Sequence, residues 1–298
     1  MKRHSQILTL AAVLLLAGTL SSTQESGSEK VTVPFSHPGK PGKIEVSNQR
    51  GSITIKGYNG QEVIVEAKIR EKKLEEGEEE IKEAIQEEMK EKLEAQSEKQ
   101  RDTSGLKKIA LPGSMGLAIE EENNKMEIRT SVMRQAVDLE IQIPFTTSLE
   151  LSSMMGGAIA VDNVKGELEV SNLNGSIKLT SISGTVLAHS LNGDIEASFV
   201  EVNPDKPMSF STMNGDIDVT LPASTKANLK MKTDYGDVYS DFEIQIGTTP
   251  QKAVEEPKRE GGRYRIAFDK YYLGSINGGG PEYLLKTFHG DILIRKGK

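Results

Sequence analysis

The chain has 298 residues, of which 36% are hydrophobic and 5% aromatic, with 28 Gly, no Trp and a formal net charge of −7. This acidic balance argues against nucleic-acid binding and against electrostatic docking on anionic lipid, because both require a basic face. With no Cys in the chain, disulfides, thiolate metal sites, a Cys nucleophile and a lipidated N-terminal Cys are excluded.

Taken in chain order, residues 1–22 read as a signal peptide. Lys2 and Arg3 precede an uncharged, mostly apolar run from Ile7 to Leu20, too short to span a bilayer. Cleavage near Ser22 would remove two cations and take the net charge to −7 − 2 = −9. The expected location is therefore exported, in the periplasm or at the cell surface, with no membrane span after signal removal. Residues 23–42 read as a linker, and 43–298 as one β-solenoid domain carrying a helical insertion over 71–124. Residues 71–100 contain 12 Glu and 6 Lys, with Ile81, Ile85, Met89 and Leu93 forming one narrow apolar stripe. That pattern predicts a helix that caps the open end of the solenoid or serves as a partner-binding arm. Strand-like alternation resumes at Lys125–Ile128 and Val137–Ile141.

Residues 155–199 decide the fold class, because they divide into five nine-residue units: MGGAIAVDN, VKGELEVSN, LNGSIKLTS, ISGTVLAHS and LNGDIEASF. The first column is apolar throughout (Met155, Val164, Leu173, Ile182, Leu191). The third is always glycine (Gly157, Gly166, Gly175, Gly184, Gly193). The fifth is aliphatic (Ile159, Leu168, Ile177, Val186, Ile195) and the seventh small or aliphatic (Val161, Val170, Leu179, Ala188, Ala197). Alternation with period two places columns five and seven on one face of a strand, and the glycine marks the turn. Gly215, Gly236 and Gly290 continue the series. The expectation is an all-β chain: a single-stranded, β-helix-like β-solenoid of about nine-residue strand–turn units, with one inserted Glu/Lys-rich α-helix. Asn-Gly at Asn174, Asn192 and Asn214 favours a coil of two unlike units.

The turns Asn174-Gly175-Ser176-Ile177, Asn192-Gly193-Asp194-Ile195 and Asn214-Gly215-Asp216-Ile217 carry a further signal, together with Ile276 to Glu282 and Lys286 to Ile292. With the signal sequence, they resemble a large bacterial family of putative adhesins, formerly a domain of unknown function. The resemblance covers roughly residues 45–70 and 125–298 and implies an adhesin-like β-solenoid at the cell envelope, with an unknown protein or glycan as partner.

The carboxylates Asp194, Asp216, Asp237 and Asp291 each follow a turn glycine. If coils stack in register some would form a surface ladder ~5 Å apart. Such a ladder could serve a carbohydrate-active β-helix enzyme, or could simply support exposed corners. The calcium-roll spacing of two glycines and an Asp per nine residues is absent, and no histidine pair has a metal-ligand spacing. The sequence therefore predicts no catalytic residues, no cofactor and no metal, in a non-catalytic exported binding or structural module. A sensor or scaffold acting through the Glu-rich helix is a further alternative.

Overall fold

The structure is a computed structural model describing residues 28–70, 116–131, 135–246 and 271–297. The first block holds β1 (Ser28–Pro34), β2 (Gly42–Arg50), β3 (Ile53–Tyr58) and β4 (Glu62–Ile69). Next come β5 (Leu117–Glu122), β6 (Lys125–Thr130), β7 (Val137–Pro144), β8 (Thr147–Met155), β9 (Ile159–Asp162) and β10 (Lys165–Asn174). They are followed by β11 (Ile177–Asn192), β12 (Ile195–Val202), β13 (Met208–Asn214), β14 (Ile217–Leu221), β15 (Ala227–Lys232), β16 (Val238–Ser240) and β17 (Gln245–Ile246). The last block holds β18 (Tyr272–Ile276), β19 (Glu282–Lys286) and β20 (Ile292–Lys296).

Two stacks of parallel strands, joined at corners, make one curled sheet. The first stack runs β6, β2, β8, β10, β11, β13, β19, β15. The second runs β7, β3, β9, β11, β12, β14, β20, β16. The long β11 turns a corner within itself, so its halves belong to different stacks. Pairing the stacks gives eight coils in spatial order: β6–β7, β2–β3, β8–β9, β10 with the start of β11, the rest of β11 with β12, β13–β14, β19–β20 and β15–β16. Antiparallel strands finish the ends: β5 on β6, with β4 on β7 and β1 on β4, and, at the far end, β18 on β15 with β17 on β18.

The all-β expectation of stacked strand–turn units stands, and two units make each coil as the Asn-Gly turns favour: Lys165 lies opposite Ser183 and Ile177 opposite Ile195. The expected fold is corrected in two respects. The coils do not follow chain order: β2–β3 lies between β6–β7 and β8–β9, and β19–β20 lies between β13–β14 and β15–β16. Among the described residues there is no α-helix. The helix expected over 71–100 lies outside the described residues, while residues 117–122 of the expected helical insertion form β5.

The core is one hydrophobic cluster supplied by both stacks. Column five is fully inside: Ile159, Leu168, Ile177, Val186 and Ile195 are at most 2% exposed. Each such side chain removed from water contributes about 1.5–3 kcal/mol. Column one behaves differently. Val164 and Ile182 are buried, yet Met155 and Leu173 are exposed. Leu173 lies three residues after the inward Val170, and an odd step along a strand reverses the face.

At the inner end of the first stack the core turns polar. Ser153, Asn172, Ser190, Thr212 and Thr287 are buried. Each donates to a corner glycine carbonyl of the preceding coil: Ser153 to Gly51, Asn172 to Gly157, Ser190 to Gly175, Thr212 to Gly193 and Thr287 to Gly215. Thr233 does the same to Gly290, at 2.9 Å. These bonds satisfy carbonyls that a sharp corner would leave unpaired inside the protein. Replacing Thr212 by Val keeps the shape but orphans the Gly193 carbonyl, and is expected to cost about 1–2 kcal/mol in urea unfolding.

Candidate binding ridge

All eight glycines predicted to turn the chain stand where a neighbouring coil passes. A Cβ at Gly157, Gly166, Gly175, Gly184, Gly193, Gly215, Gly236 or Gly290 would lie 2.0–2.8 Å from a backbone carbonyl oxygen. The corner therefore packs backbone on backbone, and the residues flanking each glycine are brought into rows running up the stack.

On the far side of the glycines, the Asp row follows spatial rather than chain order: Asp194, Asp216, Asp291, Asp237. The N–H of Asp216 donates to Asp194 Oδ1 at 2.9 Å, that of Asp291 to Asp216 Oδ1 at 2.8 Å, and that of Asp237 to Asp291 Oδ1 at 2.8 Å. One oxygen of Asp194, Asp216 and Asp291 thus stitches its coil to the next. Tyr239 donates from its hydroxyl to Asp237 Oδ2 at 3.4 Å, and the charges of Asp237 and then Asp291 hold that phenol above its ordinary pKa. Among the described residues no group of three His, Asp or Glu gathers to hold a metal.

Asp138 repeats the device at the opposite end of the stack. Its Oδ1 accepts from Ser52 N at 2.8 Å and Ser52 Oγ at 2.7 Å, and Arg70 Nε donates to its Oδ2 at 2.8 Å. Burial alone would raise this carboxyl, but the bonds from Arg70 and Ser52 outweigh it and hold it below the usual range. A folded pKa below the unfolded value of about 3.9 means stability that is complete above that value and lost as pH falls through the folded one. Asp138→Ala is accordingly expected to cost about 2 kcal/mol at neutral pH. In urea titrations the gap between wild type and variant should narrow as the pH falls below the ordinary carboxylate range.

On the near side of the glycines the rows change character. Asn192 Nδ2 donates to Asn174 Oδ1 at 3.0 Å, and Asn214 Nδ2 to Asn192 Oδ1 at 2.8 Å. His289 Nδ1 lies 3.1 Å from Asn214 Oδ1. Tyr235 stacks on His289 at 4.7 Å between ring centroids, with Phe288 edge-on to both. One position earlier, on the outer face, stand Met154, Leu173, Leu191, Met213 and Phe288. Four of them are 37–52% exposed and Leu191 is half-buried. Five consecutive coils thus show water an apolar side chain at the same rung position, a ridge ~20 Å long at ~4.8 Å per coil. Between the third and seventh coils neither row carries a charged side chain. Beside it His189 Nδ1 meets Ser211 Oγ at 2.9 Å on the exposed outer face of the sheet.

An open groove of about 630 Å³ lies toward the other end, lined by Lys43, Lys125, Glu150, Glu167 and Glu169 among others. Lys43 bridges Glu150 at 2.7 Å and Glu45 at 2.8 Å, and Lys125 bridges Glu45 at 2.9 Å. Hydrogen bonds from Lys43 and then Lys125 lower the Glu45 pKa, and Lys206 pairs with Glu167.

Sequence reasoning identified the corner glycines and the Asp row but not the ridge. The available signals were the odd spacing of Leu173, Leu191 and Met213 from the inward columns, and the Ser, Thr or Asn three residues before every corner glycine except Gly157.

The Toastrack DUF4097 family matches residues 17–267, and the resemblance read from the Asn-Gly-Asp-Ile turns is borne out. A crystal structure of a putative cell adhesion protein from Clostridium sporogenes shares 11% identity, covering 93% of this chain and 100% of that one, with a TM-score of 0.41. A putative adhesin from Bacteroides fragilis shares 11% identity, covering 91% and 98%, with a TM-score of 0.35. Likeness at this level says nothing about a ligand. No curated protein matches the chain.

Proposed function

Because this chain belongs to the Toastrack DUF4097 family, we propose that it is an exported, non-catalytic binding module of the cell envelope that meets its partner along the corner ridge. One observation carries this reading: the repeated exposure of Met154, Leu173, Met213 and Phe288 at one rung position. Columns five and seven, with Val164 and Ile182 of column one, fill the core of these coils, so packing does not require the ridge side chains to be apolar. A row of apolar groups kept in water across successive coils is the feature of a surface that contacts something else. The export signal read in residues 1–22 is consistent with action at the envelope. In this reading the Asp row is scaffold, since one oxygen of Asp194, Asp216 and Asp291 is committed to the backbone N–H of the next coil.

The test is binding of the mature protein to isolated cell envelopes. Leu173→Glu combined with Met213→Glu places charge on the ridge without touching the core. Retained binding is expected to fall at least about tenfold, a loss of about 1.4 kcal/mol, with thermal unfolding unchanged. Equal binding by the folded double variant would refute the assignment.

A further inference from the structure

We infer that the ridge is a platform for a neutral, linear polysaccharide, anchored where Tyr235, His289 and Phe288 close its far end. The inference rests on the binding-module reading and names its ligand class.

Four features select this occupant. Tyr235 is 64% exposed. Its ring has one face against His289 and stands on the last coil, so among the described residues the other face is left open. An open aromatic face beside apolar side chains suits the C–H face of a sugar ring. Next to it runs the amide row. Asn192 and Asn214 each use one Nδ2 proton on the neighbouring amide. A second proton on each remains for a ligand oxygen. Hydroxyls are donors and acceptors at once and can meet both halves of such an amide.

The third feature is spacing. The rungs recur every ~4.8 Å, close to the length of one hexose in an extended β-1,4-linked chain, so successive sugars would meet equivalent rungs. The fourth is charge. In a protein with 27% charged residues, the ridge and amide rows carry none from the third coil to the seventh, and the row just beyond the glycines is acidic. An anionic chain would be repelled there, whereas free carboxylate oxygens accept sugar hydroxyls.

Other occupants fit less well. A peptide added as a strand needs free backbone groups, but the corner N–H groups of Gly175, Gly193 and Gly215 are bonded to Asn192, Asn214 and His289 carbonyls at 2.8 Å. A lipid surface would cover the apolar row while stranding the amides without partners.

The experiment is isothermal titration of the mature protein with cello-, xylo-, manno- and N-acetylchito-hexasaccharides, with a hyaluronan hexasaccharide as the acidic comparator. At least one neutral hexasaccharide is expected to bind at least about tenfold more tightly than its disaccharide. Tyr235→Ala should weaken that binding about tenfold and Asn192→Ala severalfold, with both variants unfolding at the wild-type temperature. No binding by any neutral hexasaccharide, binding by hyaluronan alone, or full binding by folded Tyr235→Ala overturns the inference. Digestion of the envelopes with cellulase, xylanase, mannanase and chitinase together separates this from the parent reading. Envelope binding that survives digestion but is lost in the Leu173→Glu, Met213→Glu variant removes the glycan and leaves the binding module standing. Binding indifferent to that variant removes both.

Discussion

Deleting residues 282–298 is expected to abolish the cooperative fold of this protein, not to shorten it by one rung. In a solenoid whose coils follow chain order, the last coil has a single neighbour and its loss removes a single interface. Here β19 lies between β13 and β15, and β20 between β14 and β16. The deletion removes an inner coil with two interfaces and leaves β15 and β16 without their parallel partners. It also removes Tyr283, Leu285, Ile292 and Ile294, all at most 2% exposed. At about 1.5–3 kcal/mol apiece, those four side chains alone approach the roughly 5–15 kcal/mol that holds a typical domain together. The Thr287 bond to the Gly215 carbonyl goes with them. Far-UV circular dichroism through a thermal scan checks this: a truncated protein that keeps a sharp transition would show that the inserted coil is dispensable. The same geometry implies slow folding, because both inserted coils are paired with strands far away in the chain and those non-local contacts form at high entropic cost.

Gly184→Ala is expected to lower stability by about 3 kcal/mol, combining about 1–2 kcal/mol for backbone conformation with about 1–3 kcal/mol for overpacking. Gly184 has φ +125°, and a Cβ there would sit 2.1 Å from the Gly166 carbonyl oxygen of the adjacent coil. That oxygen is backbone and cannot swing aside as a side chain could, so two coils must part to admit one methyl group. Gly39 provides the comparison. Its φ is +83°, but nothing lies within 4 Å of a Cβ placed there. Gly39→Ala should therefore cost only the conformational part, about 1–2 kcal/mol. Paired urea titrations with unchanged slopes would measure the difference directly. Equal losses in the two variants would mean that coil-to-coil contact at the corner is not what glycine secures.

The family and the β-strand character were legible because both depend on local pattern. Ile177 and Leu179 alternate with Lys178 and Thr180, and only a strand puts the first pair in a core and the second in water. The ridge was harder to read, because its residues are apolar like the core and differ only in parity. Leu173 and Val170 look equivalent in composition, yet one is exposed and the other is 1% exposed. The polar row was missed for the opposite reason: Thr212 and Ser190 look like surface residues, and only the corner carbonyl waiting in the neighbouring coil makes them interior.

The order of the coils was decided in three dimensions alone. The eighteen-residue rung pattern dictated that coils would stack, where each would bend and which columns would meet inside. It could not dictate which coil would lie beside which, since Ile217 and Val219 offer β20 the same aliphatic pair that Ile195 and Ala197 offer β14. Parallel pairing accepts any rung with that pattern, and the choice among them rests on long-range packing. That choice sets His289 beside Asn214 and Tyr235 beside His289, so the aromatic end of the ridge exists only in the folded molecule.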